Sequence, residues 1–221
     1  MENIILFDLD GTLIDSTDAI VSTFHHSFEK MNFDFQGDDE DIKSLIGYPL
    51  EIMFMELGVE QELAWDFVDT YKQRYKTIST TKTLLLENAI ESLEAASKFA
   101  RLSIVTTKTG KYTIPILEHF GILKYFEIVT GREHVENPKP HPEPILNTLE
   151  QMNLSKTSNI WMIGDTHLDI LCANSAGVNS VAVLCGYGKE EELKELTSFI
   201  SKNSLEAVKL IEKVSANNFH I

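Results

Sequence analysis

Residues 4–16, with the sequence IILFDLDGTLIDS, decide the fold of this chain. The first four of them form an unbroken apolar run, which is the pattern of a strand buried on both faces of a parallel sheet. Asp8 and Asp10 follow, and a Gly-Thr turn comes next. In an open α/β sheet, the carboxyl end of a central strand is where ligands bind. Two carboxylates this close repel each other and are costly to bury, so the pair needs a shared proton or a cation, and a divalent metal ion is the natural choice.

Composition excludes several classes of partner. The chain has 221 residues, with 19 Lys and Arg against 34 Asp and Glu, a formal charge of -15. That balance argues against nucleic acid or an anionic membrane as a partner. No apolar stretch is long enough to span a bilayer. With two cysteines and no charged-then-apolar leader, we expect a reduced, cytoplasmic protein, and the length suits one core with a modest insertion.

Helical periodicity replaces the strand pattern between residues 15 and 83. Asp15 or Ser16 is expected to cap a first helix, whose apolar residues Ile20, Phe24, Phe28 and Met31 follow at spacings of four, four and three. The acidic stretch 36–41 is expected to break the pattern, and two further helices follow, the first starting at Pro49. Because strand-like sequence resumes at residue 84, we predict a helical insertion carried on two linkers.

Five strand-like runs alternate with helices outside that insertion. This order predicts an α/β fold with a doubly wound parallel sheet. The helix that follows the strand 102–106 is expected to hold Pro115 in its first turn, where a proline is tolerated. Two helices, in 189–196 and 204–214, complete the chain.

Further chemistry-bearing side chains follow the later strands. Thr106 closes the strand 102–106, where its hydroxyl can donate to a phosphate oxygen. Lys139 lies between two prolines, which stiffen the backbone and give the lysine a defined starting point. Asp165 stands at the edge of the strand 160–163, and Asp169 lies four residues on, so both can face one cation.

These segments together resemble the haloacid dehalogenase superfamily of aspartate-nucleophile phosphotransferases. FDLDGTLIDS matches its first motif, and Thr106, the Lys-Pro-x-Pro-Glu run at Lys139 and GDTHLDI match the other three in order. The order GDxxxDIxxAxxAG, followed by a strand and GYG, is similar to phosphoglycolate phosphatases and their near relatives. Thr107 departs from the pattern, since close relatives usually have Asn there.

The resemblance implies a site and a domain division. It implies that Asp8 is the nucleophile and Asp10 the general acid and base, while Thr106 and Lys139 hold the phosphate oxygens. The phosphate-binding set also includes Gly11 and Thr107. Mg²⁺ is expected on Asp8, Asp10 and Asp165, with Asp169 supporting the ion through water or directing Lys139. The core would comprise residues 1–14 and 84–221, and residues 15–83 would form a mobile helical cap that closes when substrate binds.

Several alternatives stay open at this stage. A small phosphorylated metabolite is the expected substrate of a phosphatase that is a monomer or weak homodimer, yet pyrophosphatase or nucleotidase activity fits the same motifs. A β-phosphoglucomutase-like transferase would carry a histidine at the position of Ile20, so that reading is disfavoured. A dehalogenase would lack the metal-binding acids, and a silent binding protein should show a broken motif. The insertion has no basic cluster that would bind the carboxylate of phosphoglycolate.

Overall fold

The computed structural model describes residues 2–154 and 159–217. The strands in these residues are β1 (Asn3–Phe7), β2 (Ile14–Asp15), β3 (Leu84–Leu85), β4 (Arg101–Val105), β5 (Phe126–Thr130), β6 (Asn159–Gly164), β7 (Asn179–Val183) and β8 (Ile200–Ser201). The α-helices are α1 (Thr17–Lys30), α2 (Asp39–Ser44), α3 (Leu50–Glu56), α4 (Ala64–Ile78), α5 (Ala89–Ala96), α6 (Gly110–His119), α7 (Glu143–Gln151), α8 (His167–Ala176), α9 (Glu190–Leu196) and α10 (Ser204–Asn217). None of the helices in these two ranges combines the length and the apolar character needed to cross a membrane.

Six strands form one sheet in the order β5-β4-β1-β6-β7-β8, and every neighbouring pair is parallel. The α/β doubly wound fold predicted from the sequence is therefore confirmed. The edge strand β8 was not among the five predicted strands. It is two residues long, too short to show an alternating or continuous apolar pattern.

The first strand is buried on both faces because consecutive residues point to opposite sides of the sheet. Ile5 and Phe7 pack in a cluster with residues of α5, α6 and α10, whereas Ile4 and Leu6 pack with residues of α7 and α8. Helices therefore cover both faces, which explains why this strand has no polar position between Asn3 and Asp8.

Helices α1 to α4 build a hydrophobic cluster of their own from aromatic side chains, including Phe24, Phe28, Phe54 and Phe67. The break predicted over residues 36–41 is wrong in part, because α2 begins inside it. Backbone N–H groups at the start of a helix favour acidic side chains.

The acidic residues of that stretch act as helix caps. The Asp38 carboxylate accepts hydrogen bonds from the N–H groups of Glu40 and Asp41, and the Asp41 carboxylate accepts one from the N–H of Asp38. The acids that looked like a break in the apolar pattern are therefore the start signal of a helix.

The two connections to the helical insertion run side by side. β2 and β3 pair as antiparallel strands, with Ile14 opposite Leu85 and Asp15 opposite Leu84. The chain thus leaves and re-enters the core at one place. The division at residues 14/15 and 83/84 stays a prediction.

Pro115 lies in the interior of α6, which corrects its predicted place in the first turn. The helix begins at Gly110, five residues before the proline, so its start was placed too late from the apolar pattern. The exposed position of the proline ring allows the helix to continue past it.

Candidate active site

Three acidic side chains meet at the carboxyl edge of the sheet. β1 and β6 are neighbours whose register pairs Phe7 with Ile163, so Asp8 and Asp165 emerge from adjacent strands. Asp169 lies in the first turn of α8. Each of the three acids offers a carboxylate oxygen, and these oxygens lie within 4.8 Å of one another. The structure therefore brings together acids that are far apart in the sequence.

Lys139 is buried among these acids. Its Nζ donates hydrogen bonds to Asp8 Oδ1 at 2.8 Å, to Asp169 Oδ1 at 2.5 Å and to the carbonyl of Val105 at 3.0 Å. An ammonium with three acceptors is fully satisfied, so this buried charge is both paired and hydrogen-bonded. The side chain connects the nucleophile candidate Asp8 with the acid on α8.

The remaining carboxylate contacts orient Asp165 and Asp169. Asp165 accepts hydrogen bonds from Thr12 Oγ1 at 3.0 Å and from the backbone N–H of Tyr187 at 2.8 Å. Asp169 Oδ2 accepts two from Thr166, one from its N–H and one from its hydroxyl. Since each carboxylate oxygen has two lone pairs, these bonds leave room for a metal ion.

Glycines make space around Asp165. Gly11 has φ +81°, and a Cβ atom there would lie 2.3 Å from Asp165 Oδ2. A Cβ at Gly186 would lie 2.1 Å from the same oxygen. The N–H of Gly11 donates to the carbonyl of Ile14 at 2.8 Å, and the role of Gly11 in phosphate binding stays a prediction. Gly11 therefore contributes open space to the site.

The electrostatics of the cluster favour a cation. Burial raises the pKa of Asp8 to about 7, with Lys139 lowering that pKa and the Asp169 carboxylate raising it. Burial, together with Asp169 and Asp8, holds the pKa of Asp165 well above its usual range. Burial lowers the pKa of Lys139, but its two carboxylate partners outweigh that effect and raise it. One ammonium does not balance three carboxylates, whereas a divalent ion would.

Asp10 has its own basic partner, which the sequence analysis missed. Lys108 Nζ lies 3.2 Å from Asp10 Oδ1, and Ser16 donates a hydrogen bond to the same oxygen. Lys108 also donates to the hydroxyl of Tyr75 on α4 at 2.8 Å and lies 4.6 Å from the centre of that ring. The only sequence signal was its position, two residues after the strand-terminal Thr106.

The loop after β4 connects the sheet edge to the helical insertion. Thr106 is buried directly after Val105, and its hydroxyl accepts a hydrogen bond from the N–H of Lys108 at 3.1 Å. The hydroxyl of Thr107, the residue that departs from the family pattern, donates to the carbonyl of Gly47 at 2.9 Å. This residue is therefore a contact between core and insertion.

A cavity of about 260 Å³ separates the insertion from this loop, and we refer to it as the interface cavity. Asp10, Thr107 and Lys108 line it from the core. Five aromatic side chains line it as well: Tyr48, Trp65, Tyr71, Tyr75 and Tyr112. The cavity gives a bound molecule access to Asp10.

The fold is a doubly wound sheet, and two aspartates follow its central strand, one of them bonded to a buried lysine. Together these features indicate a class of hydrolases. The chain belongs to the haloacid dehalogenase-like hydrolases, whose family model matches residues 5–183. The family predicted from the four motifs is thereby confirmed.

Relatives within the family are phosphatases. The chain is 33% identical to a pyrophosphatase PpaX of Halalkalibacterium halodurans, a match that covers 82% of this chain and 83% of the relative. It is 28% identical to a phosphoglycolate phosphatase of Colwellia psychrerythraea, covering 88% and 89%. The crystal structure of a predicted phosphatase from Clostridium acetobutylicum has a TM-score of 0.85 and 27% identity, covering 98% and 99%. The protein is an enzyme of the phosphatase type.

Proposed function

We propose that the protein is a Mg²⁺-dependent hydrolase of small phosphate monoesters that works through an aspartyl phosphate on Asp8. The observation that carries this proposal is the contact of Asp8 with Lys139 beside the carboxylates of Asp165 and Asp169. A nucleophile needs its charge balanced before it can approach an anionic phosphate, and this cluster supplies that balance.

The residues fit Mg²⁺. Hard divalent cations prefer oxygen ligands, and the cluster offers only oxygens. Asp8, Asp165 and the backbone carbonyl of Asp10 would hold the ion, with Asp169 close enough to support it through water. When bound, Mg²⁺ neutralises charge on the phosphate and on the acids. The space that Gly11 and Gly186 leave beside Asp165 keeps this region free of side-chain atoms.

The first step forms a bond from an Asp8 oxygen to phosphorus and breaks the bond from phosphorus to the ester oxygen. Asp10 gives its proton to the departing oxygen, which leaves as an alcohol. The hydroxyl of Thr106 holds one phosphate oxygen, and Lys139, which stays charged because its pKa is raised, exchanges one of its present hydrogen bonds for another phosphate oxygen.

The second step returns the enzyme to its starting state. Asp10, now a carboxylate, removes a proton from a water molecule that attacks the phosphorus of the aspartyl phosphate. The bond from phosphorus to the Asp8 oxygen breaks, and inorganic phosphate is released. Lys108 and Ser16 hold the Asp10 side chain where both proton transfers take place.

Residues 15–83 act as a cap in this proposal. The antiparallel pairing of β2 and β3 supports a hinge at that place, and the Thr107–Gly47 hydrogen bond supports a closed form. Closure would exclude water in the first step, and opening would admit it in the second. Limited proteolysis of linker residues 79–83 should slow when a phosphate mimic and Mg²⁺ are present; identical cleavage rates would contradict closure.

The test of the function is phosphate release from a generic aryl phosphate. We expect release that depends on Mg²⁺ and is lost in Asp8→Asn, a variant that keeps the shape of the side chain and removes the nucleophile. A circular dichroism spectrum equal to that of the wild type would show that the variant is folded. Activity that survives in Asp8→Asn would overturn the proposal.

A mutase is disfavoured by one observation. Ile20 lines the interface cavity, at the position where the mutase reading needs a histidine. An apolar side chain there cannot carry a proton for a second phosphoryl transfer, so transfer to water is favoured. We further propose that the enzyme acts in the cytoplasm, as a monomer or weak homodimer, and its two free cysteines suit that reducing compartment.

A further inference from the structure

The wall of the interface cavity is aromatic in a way that packing alone does not explain. Helix α4 contributes Trp65, Tyr71 and Tyr75, and Tyr48 and Tyr112 come from other segments. Tyr71 and Tyr75 belong to the hydrophobic cluster of the insertion, and Tyr48 and Tyr112 pack against it, but Trp65 does neither. The Trp65 side chain is 56% exposed although it lines a cavity. A large aromatic surface left open beside a cavity marks a contact for a ligand.

The charged side chains around the cavity balance in number, with three basic and three acidic residues. Its basic side chains are Lys72, Lys108 and Arg132, and its acidic ones are Asp10, Glu51 and Glu133. Lys108 lies 3.2 Å from Asp10, Arg132 lies 3.2 Å from Glu51, and Lys72 lies 5.7 Å from the centre of the Trp65 ring. Because Lys108 and Arg132 already have carboxylate partners, the lining offers an anionic group no net positive charge.

Asp10 places the leaving group in this cavity. In the proposed reaction Asp10 protonates the departing oxygen, and Asp10 lines the cavity. The part of the substrate beyond that oxygen therefore extends between the loop after β4 and helix α4. The cavity volume of about 260 Å³ exceeds that of a fragment as small as glycolate.

We propose that the leaving group is an uncharged alcohol that carries a planar ring and has about the size of a nucleoside. The ring contacts the exposed Trp65 side chain, and the absence of charge matches the balanced charges of the lining. Glycolate and phosphate are the wrong leaving groups, since each brings a negative charge. This inference rests on the proposed phosphatase function and specifies its substrate class.

The test compares nucleoside 5′-monophosphates with ribose 5-phosphate. The two share the sugar and the phosphate, and ribose 5-phosphate carries a hydroxyl group where the nucleotides carry the base. Stacking of a base on an aromatic side chain is worth about 1–3 kcal/mol, so we expect kcat/KM to be roughly tenfold or more higher for the nucleotides. Phosphoglycolate and pyrophosphate should fall below the nucleotides as well. Equal or better turnover of ribose 5-phosphate or phosphoglycolate would overturn the inference.

A matched pair of variants locates the contact. Trp65→Ala should reduce the preference for nucleotides over ribose 5-phosphate by roughly tenfold, as expected for the loss of one stacking contact. Leu63→Ala is the control: Leu63 is 44% exposed and two residues away, and it does not line the cavity. An unchanged preference in Trp65→Ala would contradict the proposed contact.

A binding measurement separates this inference from the proposed reaction. In Asp8→Asn with Mg²⁺, we expect adenosine 5′-monophosphate to change the tryptophan fluorescence and ribose 5-phosphate to leave it unchanged. The signal would come from Trp65, because the other tryptophan, Trp161, is 2% exposed in the core. Loss of the signal in Asp8→Asn combined with Trp65→Phe supports the assignment, and an equal response to both ligands contradicts it. If no phosphate ester is hydrolysed by the wild type, the proposed function fails; if ribose 5-phosphate is hydrolysed without a ring preference, only this inference fails.

Discussion

The aspartates that follow β1 are each held by a different lysine. Lys139 reaches Asp8 from the loop before α7, and Lys108 reaches Asp10 from the loop after β4. In the proposed reaction, separate ammonium partners allow two neighbouring acids to act differently, one as nucleophile and one as proton carrier. Each of these lysine–aspartate pairs can be tested by substitution.

Replacing Asp8 should stabilise the metal-free protein in a pH-dependent way. The pKa of Asp8 is about 7 in the fold, against 3.8 for an ordinary aspartate, so between these values the folded state holds a proton that the unfolded chain releases. The contribution of Asp8 to wild-type stability therefore falls as pH rises from about 4 to 7. With EDTA present, the free energy of unfolding of Asp8→Asn should exceed that of wild type by about 2–4 kcal/mol at pH 8 and by little at pH 4.

Urea denaturation at several pH values measures this difference. Asp66→Asn serves as the control, because Asp66 is exposed on α4 and its replacement should show no such trend. A stability difference between Asp8→Asn and wild type that does not vary with pH would contradict the raised pKa.

Replacing Lys108 should impair proton transfer more than phosphate binding. Lys108→Met keeps the length of the side chain and removes its contacts with Asp10 and Tyr75. We expect kcat for an alkyl phosphate to fall by about 10²-fold, in the range typical of general acid catalysis. The fall should be smaller for nitrophenyl phosphate, whose leaving group needs little protonation.

Tyr75→Phe is the milder variant of this pair, since it removes only the hydroxyl that accepts the Lys108 hydrogen bond. It should lower kcat in the same direction by a smaller factor. If Lys108→Met lowers kcat equally for both kinds of phosphate ester, Lys108 has no part in positioning the proton carrier.

Helix α6 contains a proline in its interior, where this residue usually destabilises a helix. Pro115 has no N–H to donate to the carbonyl four residues earlier, and it is exposed in the helix interior. Pro115→Ala should raise the free energy of unfolding by about 1–3 kcal/mol, since alanine restores the donor. Chemical denaturation measures the change. Phosphatase activity should stay the same, because α6 meets the interface cavity through Tyr112 and Pro115 does not line it. A loss of stability would mean that Pro115 itself is needed for packing.

Elements with a long periodic pattern were predictable, and short ones were not. The spacing of Phe24 and Phe28 predicted α1, and the apolar run of residues 4–7 predicted β1. The two-residue strand β8 was missed, and α2 was hidden by its own capping acids, such as Asp38. Periodicity needs several residues to be visible, whereas two residues pair in a sheet only because the fold brings them to its edge.

The whole molecule should be stabilised by Mg²⁺. An ion that binds only the folded state adds stability, about 2.7 kcal/mol at a concentration one hundred times its Kd. Saturating MgCl₂ should therefore raise Tm by several degrees, and EDTA should reverse the shift. Differential scanning fluorimetry checks both changes.

The control for this measurement must account for the net charge of the protein. At a formal charge of -15, any salt screens repulsion, so NaCl at matched ionic strength must be compared. Asp165→Asn should lose the response to Mg²⁺ and keep the response to NaCl. Equal shifts from the two salts in the wild type would show that no specific site holds the ion.

The placement of the candidate site residues at one edge of the sheet was largely predictable, and their partners were not. Asp8, Thr106 and Asp165 follow buried strands, and the carboxyl ends of parallel strands meet at one edge of a sheet. Lys108 and the aromatic wall were missed, because nothing in their local sequence separates them from an ordinary loop lysine or an ordinary amphipathic helix. Their roles become visible only where the insertion meets the loop after β4.

The sequence by itself determined the alternation of strands and helices, the helical insertion and the acids placed after strands, because these depend on neighbours within a few residues. Only the tertiary structure decided which lysine contacts which acid and what lines the interface cavity. Lys139 and Asp8 are 131 residues apart, and Lys108 and Tyr75 are 33 apart. Contacts over such separations depend on how whole elements pack, which no local pattern encodes.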